Sequence, residues 1–126
     1  MSKKVVYSSE APEPIGPYSH GIKTGSLLFV SGQIAIDRQN GQLVTSNIKD
    51  ETLKVMANVG AILKAGGVDF SAVVKTTIFL KDMGNFPVVN EVYGSFFKES
   101  PPARETVEVS RLPRDVNVEI SCIAIV

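Results

Sequence analysis

The sequence predicts an α+β fold: a mixed, mainly antiparallel sheet with two helices packed on one face. Three observations carry this. Two segments place apolar residues at three- and four-residue steps, the spacing of one helix face. Other stretches are rich in β-branched residues and bounded by turn signals. The C-terminal stretch alternates with a period of two.

In chain order, Gly21 to Thr24 and Leu27 to Ser31 flank Gly25-Ser26, a two-residue hairpin signal. Next, Ile48, Val55, Met56, Val59, Ile62 and Leu63 share a helix face. Ser46 or Asn47 caps that helix, Asp50 and Glu51 suit the positive end of its dipole, and Gly66-Gly67 ends it. Val73 to Leu80 reads as a strand. A second helix follows Asp82 as N-cap, with Pro87 tolerated in the first turn and Pro101-Pro102 as the stop. Its buried stripe is Phe86, Val89, Tyr93, Phe96 and Phe97. Asn90 lies on or beside that stripe and is expected to bond a backbone strand or loop. Ala103 to Val109 is a strand, and Val116 to Val126 is the last. There Val116, Val118, Ile120, Cys122, Ala124 and Val126 point one way, and Asn117, Glu119, Ser121, Ile123 and Ile125 the other.

Two helices cover only one face of a small sheet. The all-apolar set belongs under them, which leaves Ile123, Ile125 and Phe79 on a face the chain has nothing to bury. Such a patch predicts a homo-oligomer.

The 126 residues leave room for one domain, 1–126, with no repeat or linker. Thirteen basic residues balance thirteen acidic ones, which gives no electrostatic footprint for nucleic acid or an anionic membrane. No apolar run reaches the ~18 residues of a membrane span, and the N-terminus has no signal-peptide core. One cysteine and one histidine exclude an internal disulfide and the usual Cys/His zinc sites. A cytoplasmic protein without a structural metal is the expectation.

Chemistry is sought on the uncovered face. Arg104, Thr106 and Glu108 alternate away from Ala103, Glu105, Val107 and Val109. If the two terminal strands pair, Arg104 and Glu119 line one cleft; a plain cross-strand ion pair explains them as well. Cys122 reads as an inert core thiol and His20 as a satisfied structural or surface residue. No Ser-His-Asp set, zinc-protease helix or phosphate-binding glycine loop is present.

Several ordered stretches resemble one family end to end. They are Ile15-Gly16-Pro17-Tyr18-Ser19, Val30-Ser31-Gly32-Gln33-Ile34, Val89-Asn90-Glu91-Val92-Tyr93, Pro102-Ala103-Arg104, Val107 through Pro113, and Val118-Glu119-Ile120. Together they resemble the RidA (reactive intermediate/imine deaminase A, or YjgF) family. The resemblance implies a chorismate-mutase-like fold and a homotrimer with a barrel-like interior and clefts between subunits. It implies hydrolysis of reactive enamines and imines such as 2-aminoacrylate to 2-keto acids and ammonia, with no cofactor or metal. The substrates come from pyridoxal-phosphate-dependent dehydratases. By resemblance Arg104 binds the substrate carboxylate in a two-pronged manner, Glu119 organises water and acts as acid or base, and Tyr18 closes a wall. Ser31, Gly32 and Thr106 supply further contacts. Many members carry a small residue and then a cysteine after the arginine, where this chain has Glu105 and Thr106. Glu105 is expected to face the helices; folded towards Arg104 it would compete with substrate. The alternative function is a small-carboxylate (2-keto acid or amino acid) binding or regulatory protein without turnover. A ribonuclease is disfavoured by the neutral charge and the lack of a histidine pair.

Overall fold

Six strands form one sheet in a computed structural model of the chain, which describes residues 2–126. They are β1 (Lys4–Val6), β2 (Gly21–Thr24), β3 (Leu27–Gln33), β4 (Val73–Leu80), β5 (Ala103–Glu108) and β6 (Val118–Ile125). Their spatial order is β1-β2-β3-β6-β4-β5. All neighbours are antiparallel except β4 and β5. Parallel neighbours need a crossover, and α2 (Phe86–Gly94) provides it. The other helix, α1 (Ile48–Ala65), leads from β3 to β4 and leaves a gap between them that β6 fills. The last strand is therefore central.

α1 keeps the face expected of it, with Val55, Met56, Val59, Ile62 and Leu63 buried on the sheet. Asn47 is the cap: its side chain accepts from the Asp50 amide at 2.8 Å. Gly67, at φ +87°, takes the left-handed conformation that turns the chain away. α2 is shorter than the pattern indicated. Asp82 caps a 3-10 turn, Met83–Asn85, and the helix ends at Gly94, so Phe96 and Phe97 pack from the following turn. Pro87 does lie in its first turn.

In β6 the alternation holds from Val118 to Ala124, with Val118, Ile120, Cys122 and Ala124 buried under the helices. Val116 belongs to a second, smaller cluster with Ile34, Ile36 and Leu112, and Phe79 packs against it. Phe79 is thus partly covered from within the chain, where the sequence pattern gave it no cover. Leu27, Phe29, Val107 and Ile125 remain exposed.

Glu51 departs most from its expected role. It is fully buried, and its carboxylate accepts from the Asn117 amide (2.7 Å), the Asn117 side chain (2.8 Å) and the Val118 amide (3.3 Å). The chain enters this grip from the 3-10 turn Pro113–Asp115, where Arg114 and Asp115 both have φ +56°. Left-handed non-glycine residues cost about 1–2 kcal/mol each. The Arg111 guanidinium bridges both Asp115 carboxylate oxygens and holds the turn.

Candidate active site

A bulge in β3 creates the site's first half. Val30 pairs with Cys122 and Gln33 with Ile120, so Ser31 and Gly32 together face the single residue Ser121. Bulges bend a strand and re-aim side chains. Here the extra residue lets the neighbouring Glu119 carboxylate settle on the peptide of Gly32. A Cβ at Gly32 would lie 2.7 Å from Glu119 Oε2, so any side chain there would push the carboxylate from its place. Glu119 faces a cavity of about 310 Å³ lined also by Pro12, Ile15, Tyr18, Ser31, Ile34, Ile36 and Pro113.

The segment carrying Tyr18 is pinned at several points. The His20 ring is buried, takes the Ser8 amide at Nδ1 (3.0 Å), and so carries its proton on Nε2, which donates to the Pro12 carbonyl (2.6 Å). Tyr7 stacks on that ring, and the Tyr7 hydroxyl bonds Glu13, which pairs with Arg38 at 2.8 Å. Ser31 donates its hydroxyl to the Ser19 carbonyl (2.6 Å) and its amide to the His20 carbonyl (2.9 Å). The Ser31 hydroxyl proton is therefore committed, and its oxygen faces a ligand as an acceptor.

The cleft holds two carboxylates with opposite tendencies. The Tyr7 hydroxyl, with Arg38, holds Glu13 below the usual glutamate range. Burial pushes Glu119 up, and it has no hydrogen bond or ion pair among the described residues. The two environments drive the acids apart: Glu13 is held as the anion, and Glu119 keeps its proton more readily than an ordinary glutamate.

The second half lies elsewhere. β5 pairs with β4, which separates it from β6. Arg104 pairs with Thr76 and Thr106 with Ile78, both buried under the helices, whereas Glu119 pairs with Phe79 on the open face. Arg104 and Thr106 thus occupy the helix side, and within one chain Arg104 and Glu119 cannot share a cleft or form an ion pair. The Arg104 guanidinium lies over the Tyr93 and Phe86 rings, 5.0 and 5.6 Å from their centroids. It donates to Asn90 Oδ1 at 2.8 Å. Asn90 is exposed and holds this side chain, where a backbone partner had been expected. No carboxylate pairs with Arg104 among the described residues, which leaves an oriented cation ready for an anion.

A model of the family described as Endoribonuclease L-PSP matches residues 8–126, almost the whole chain. The chain belongs to the RidA (YjgF) family. A RutC family protein of Pyrococcus horikoshii is 52% identical over 97% of both chains. The 2-iminobutanoate/2-iminopropanoate deaminase of mouse is 44% identical over 98% of this chain and 91% of its own length. Among solved structures, E. coli TdcF with bound serine superposes with a TM-score of 0.93 at 39% identity, covering 98% of each chain.

Against the residues expected from the RidA resemblance, Tyr18, Ser31, Gly32 and Glu119 meet in one cleft. Arg104 and Thr106 stand apart on the other face. Glu105 faces the open side, opposite to expectation. It pairs with Lys75 at 3.2 Å and accepts from the Thr77 hydroxyl at 3.3 Å, turned away from Arg104, so it does not compete for an anion there. Cys122 is buried, and burial pushes its thiol up to about 12, which fits an inert residue. Sequence reasoning missed Asn90 as the Arg104 holder and Glu51 as a strand clamp. Each contact spans many residues and leaves no local pattern.

The Thr106 hydroxyl is buried without a hydrogen-bond partner among the described residues. An unsatisfied buried hydroxyl costs about 1–3 kcal/mol, and valine has the same shape without that cost. Thr106→Val is expected to stabilise the protein by about 1 kcal/mol, read as a rise in thermal midpoint of about 3–5 °C. An unchanged or lower midpoint would show that the hydroxyl is satisfied in solution.

Proposed function

We propose that this protein hydrolyses reactive imines and enamines of the 2-aminoacrylate type to 2-keto acids and ammonia, in clefts between subunits of a homotrimer. The carrying observation is the split site: a half-buried carboxylate on one face and, on the other, an aromatic-braced arginine with no carboxylate partner among the described residues. Two copies must meet to place them around one small molecule. The exposed apolar residues Leu27, Phe29, Val107 and Ile125 on the open face support such an assembly.

The chemistry follows from the groups. Arg104 of one copy grips the substrate carboxylate through two parallel hydrogen bonds. Imine carbon C2 is already electrophilic, so no covalent nucleophile is required. 2-Aminoacrylate takes a proton from solvent at its methylene carbon and becomes the iminium form of 2-iminopropanoate. Water adds to C2 while Glu119 accepts its proton, giving a carbinolamine. Glu119 returns the proton to nitrogen, the C–N bond breaks, and the hydroxyl proton passes back to Glu119 as the carbonyl forms and ammonia leaves. The acceptor lone pairs of Ser31 suit the imine N–H, and the Tyr18 ring forms the wall. The physiological donors on this reading are pyridoxal-phosphate-dependent dehydratases.

In the test, 2-aminoacrylate is generated in situ by a serine dehydratase. The protein is expected to accelerate pyruvate and ammonia release, and Arg104→Ala, shown to keep its assembly, is expected to abolish the effect. No acceleration by the parent chain would end the assignment for this substrate.

A second reading is a non-catalytic receptor for small carboxylates, favoured by the serine bound to TdcF. It predicts that Glu119→Gln alters ligand affinity with no turnover to lose. The ribonuclease reading has little support, since the only histidine is committed to Ser8 and Pro12.

A further inference from the structure

We propose that Glu51 is a positioning residue: through the start of β6 it sets where the Glu119 carboxylate stands. The inference rests on the role given to Glu119 above.

Glu51 lines no part of the cleft and is fully buried, yet both of its oxygens are engaged by the two residues that precede Glu119. Pairing between β3 and β6 stops at Gln33 and Ile120. The first residues of β6 therefore lack a strand neighbour on that side, and the Glu51 carboxylate supplies acceptors that β3 does not. On the other side, the Lys81 amide donates to the Asn117 carbonyl at 3.1 Å. Immediately upstream, Arg114 and Asp115 hold the strained left-handed conformation. Downstream, the Glu119 carboxylate lies against the bare Cα of Gly32, a close fit that depends on where the strand places it. Loosening the clamp lets Asn117 and Val118 move, and Glu119 moves with them. Displacements near 1 Å cost about 10²-fold in turnover.

The test compares Glu51→Ala and Glu51→Gln in the assembled protein. Glu51→Ala is expected to lower kcat about 10–100-fold with KM within about two-fold, since Arg104 still anchors the substrate. Its Glu119 carboxyl, followed by carbon NMR, is expected to titrate closer to an ordinary glutamate. Glutamine keeps one acceptor for the backbone amides and pairs with a turned-over Asn117 amide, so Glu51→Gln is expected to recover kcat to within about five-fold. Should Glu51→Ala not fold, Asn117→Ala, which removes one of the three donors, is expected to give an intermediate fall in kcat and an intermediate titration shift. A folded Glu51→Ala or Asn117→Ala protein with parental kcat and parental Glu119 titration overturns the proposal. The titration needs no substrate, so it decides the positioning role even if Glu119→Gln keeps full turnover and the deaminase reading fails.

Discussion

Glu119→Gln is expected to lower kcat for 2-aminoacrylate by about 10²–10⁴-fold, the usual contribution of a positioned acid or base, with KM within a few-fold. The same substitution is expected to stabilise the fold at neutral pH. Burial raises the Glu119 carboxyl, so the folded chain favours its protonated form. Below the unfolded-state value of roughly 4.3, both states hold the proton and the carboxyl carries no penalty. As pH rises through that value and on through the raised folded one, the unfolded chain ionises more readily and stability is lost. Glutamine has no proton to lose. The melting curves of the two proteins should therefore coincide in acid, separate as pH climbs through that window, and stay apart above it. Calorimetry across pH 4–8 checks this. Parallel curves without a pH-dependent gap would mean that Glu119 is solvated, and its catalytic assignment would lose its physical basis. On the proposed reading, such a loss of stability at working pH is the cost of keeping an acid half-buried in a cleft.

The legible part of the fold was the part built from local pattern. Val73–Leu80 has in the structure the bounds that its β-branched run gives it. The hairpin around Gly25 and the cap at Asn47 follow from residues within a few positions of each other. β1 escaped notice because three residues, Lys4–Val6, are too few to show a period. The orientation of β5 was misread for a different reason. Alternation fixes which residues share a face but not which face is covered, and the usual guide is that apolar residues go inside. At this edge strand the guide fails: Val107 stays exposed while Arg104 turns inward, its guanidinium stacked on Tyr93 and Phe86 and its charge bonded to Asn90. An arginine can satisfy a helix-covered face when aromatic surface and one acceptor are waiting, and both come from α2. Reversing that one strand also reverses Glu105. The feature that most threatened activity becomes a bystander held by Lys75 and Thr77. The cleft around Glu119 was legible only as a set of motifs, because a bulge and a long loop bring Tyr18, Ser31 and Gly32 together across distances no periodicity spans.

Arg104→Ala alone is expected to reduce kcat/KM by at least about 10²-fold, because a buried substrate carboxylate would lose a two-pronged charged partner. Lysine is not expected to rescue it, since a single ammonium cannot reproduce the planar fork. The opposed faces of Arg104 and Glu119 make a stronger prediction when the two inactive chains are combined. Arg104→Ala chains keep Glu119, and Glu119→Gln chains keep Arg104. If each cleft takes its arginine from one copy and its carboxylate from the next, unfolding and reassembling an equal mixture creates some intact clefts. With random assembly a given cleft draws the sound residue from both neighbours about one time in four, so about a quarter of parental activity should return. Mixing without subunit exchange should return none. If a single chain supplied both groups, every cleft in the mixture would remain broken and activity would stay at the level of the separate mutants. The measured recovery thus decides between a site within one chain and a site between two, with no structure of the assembly required.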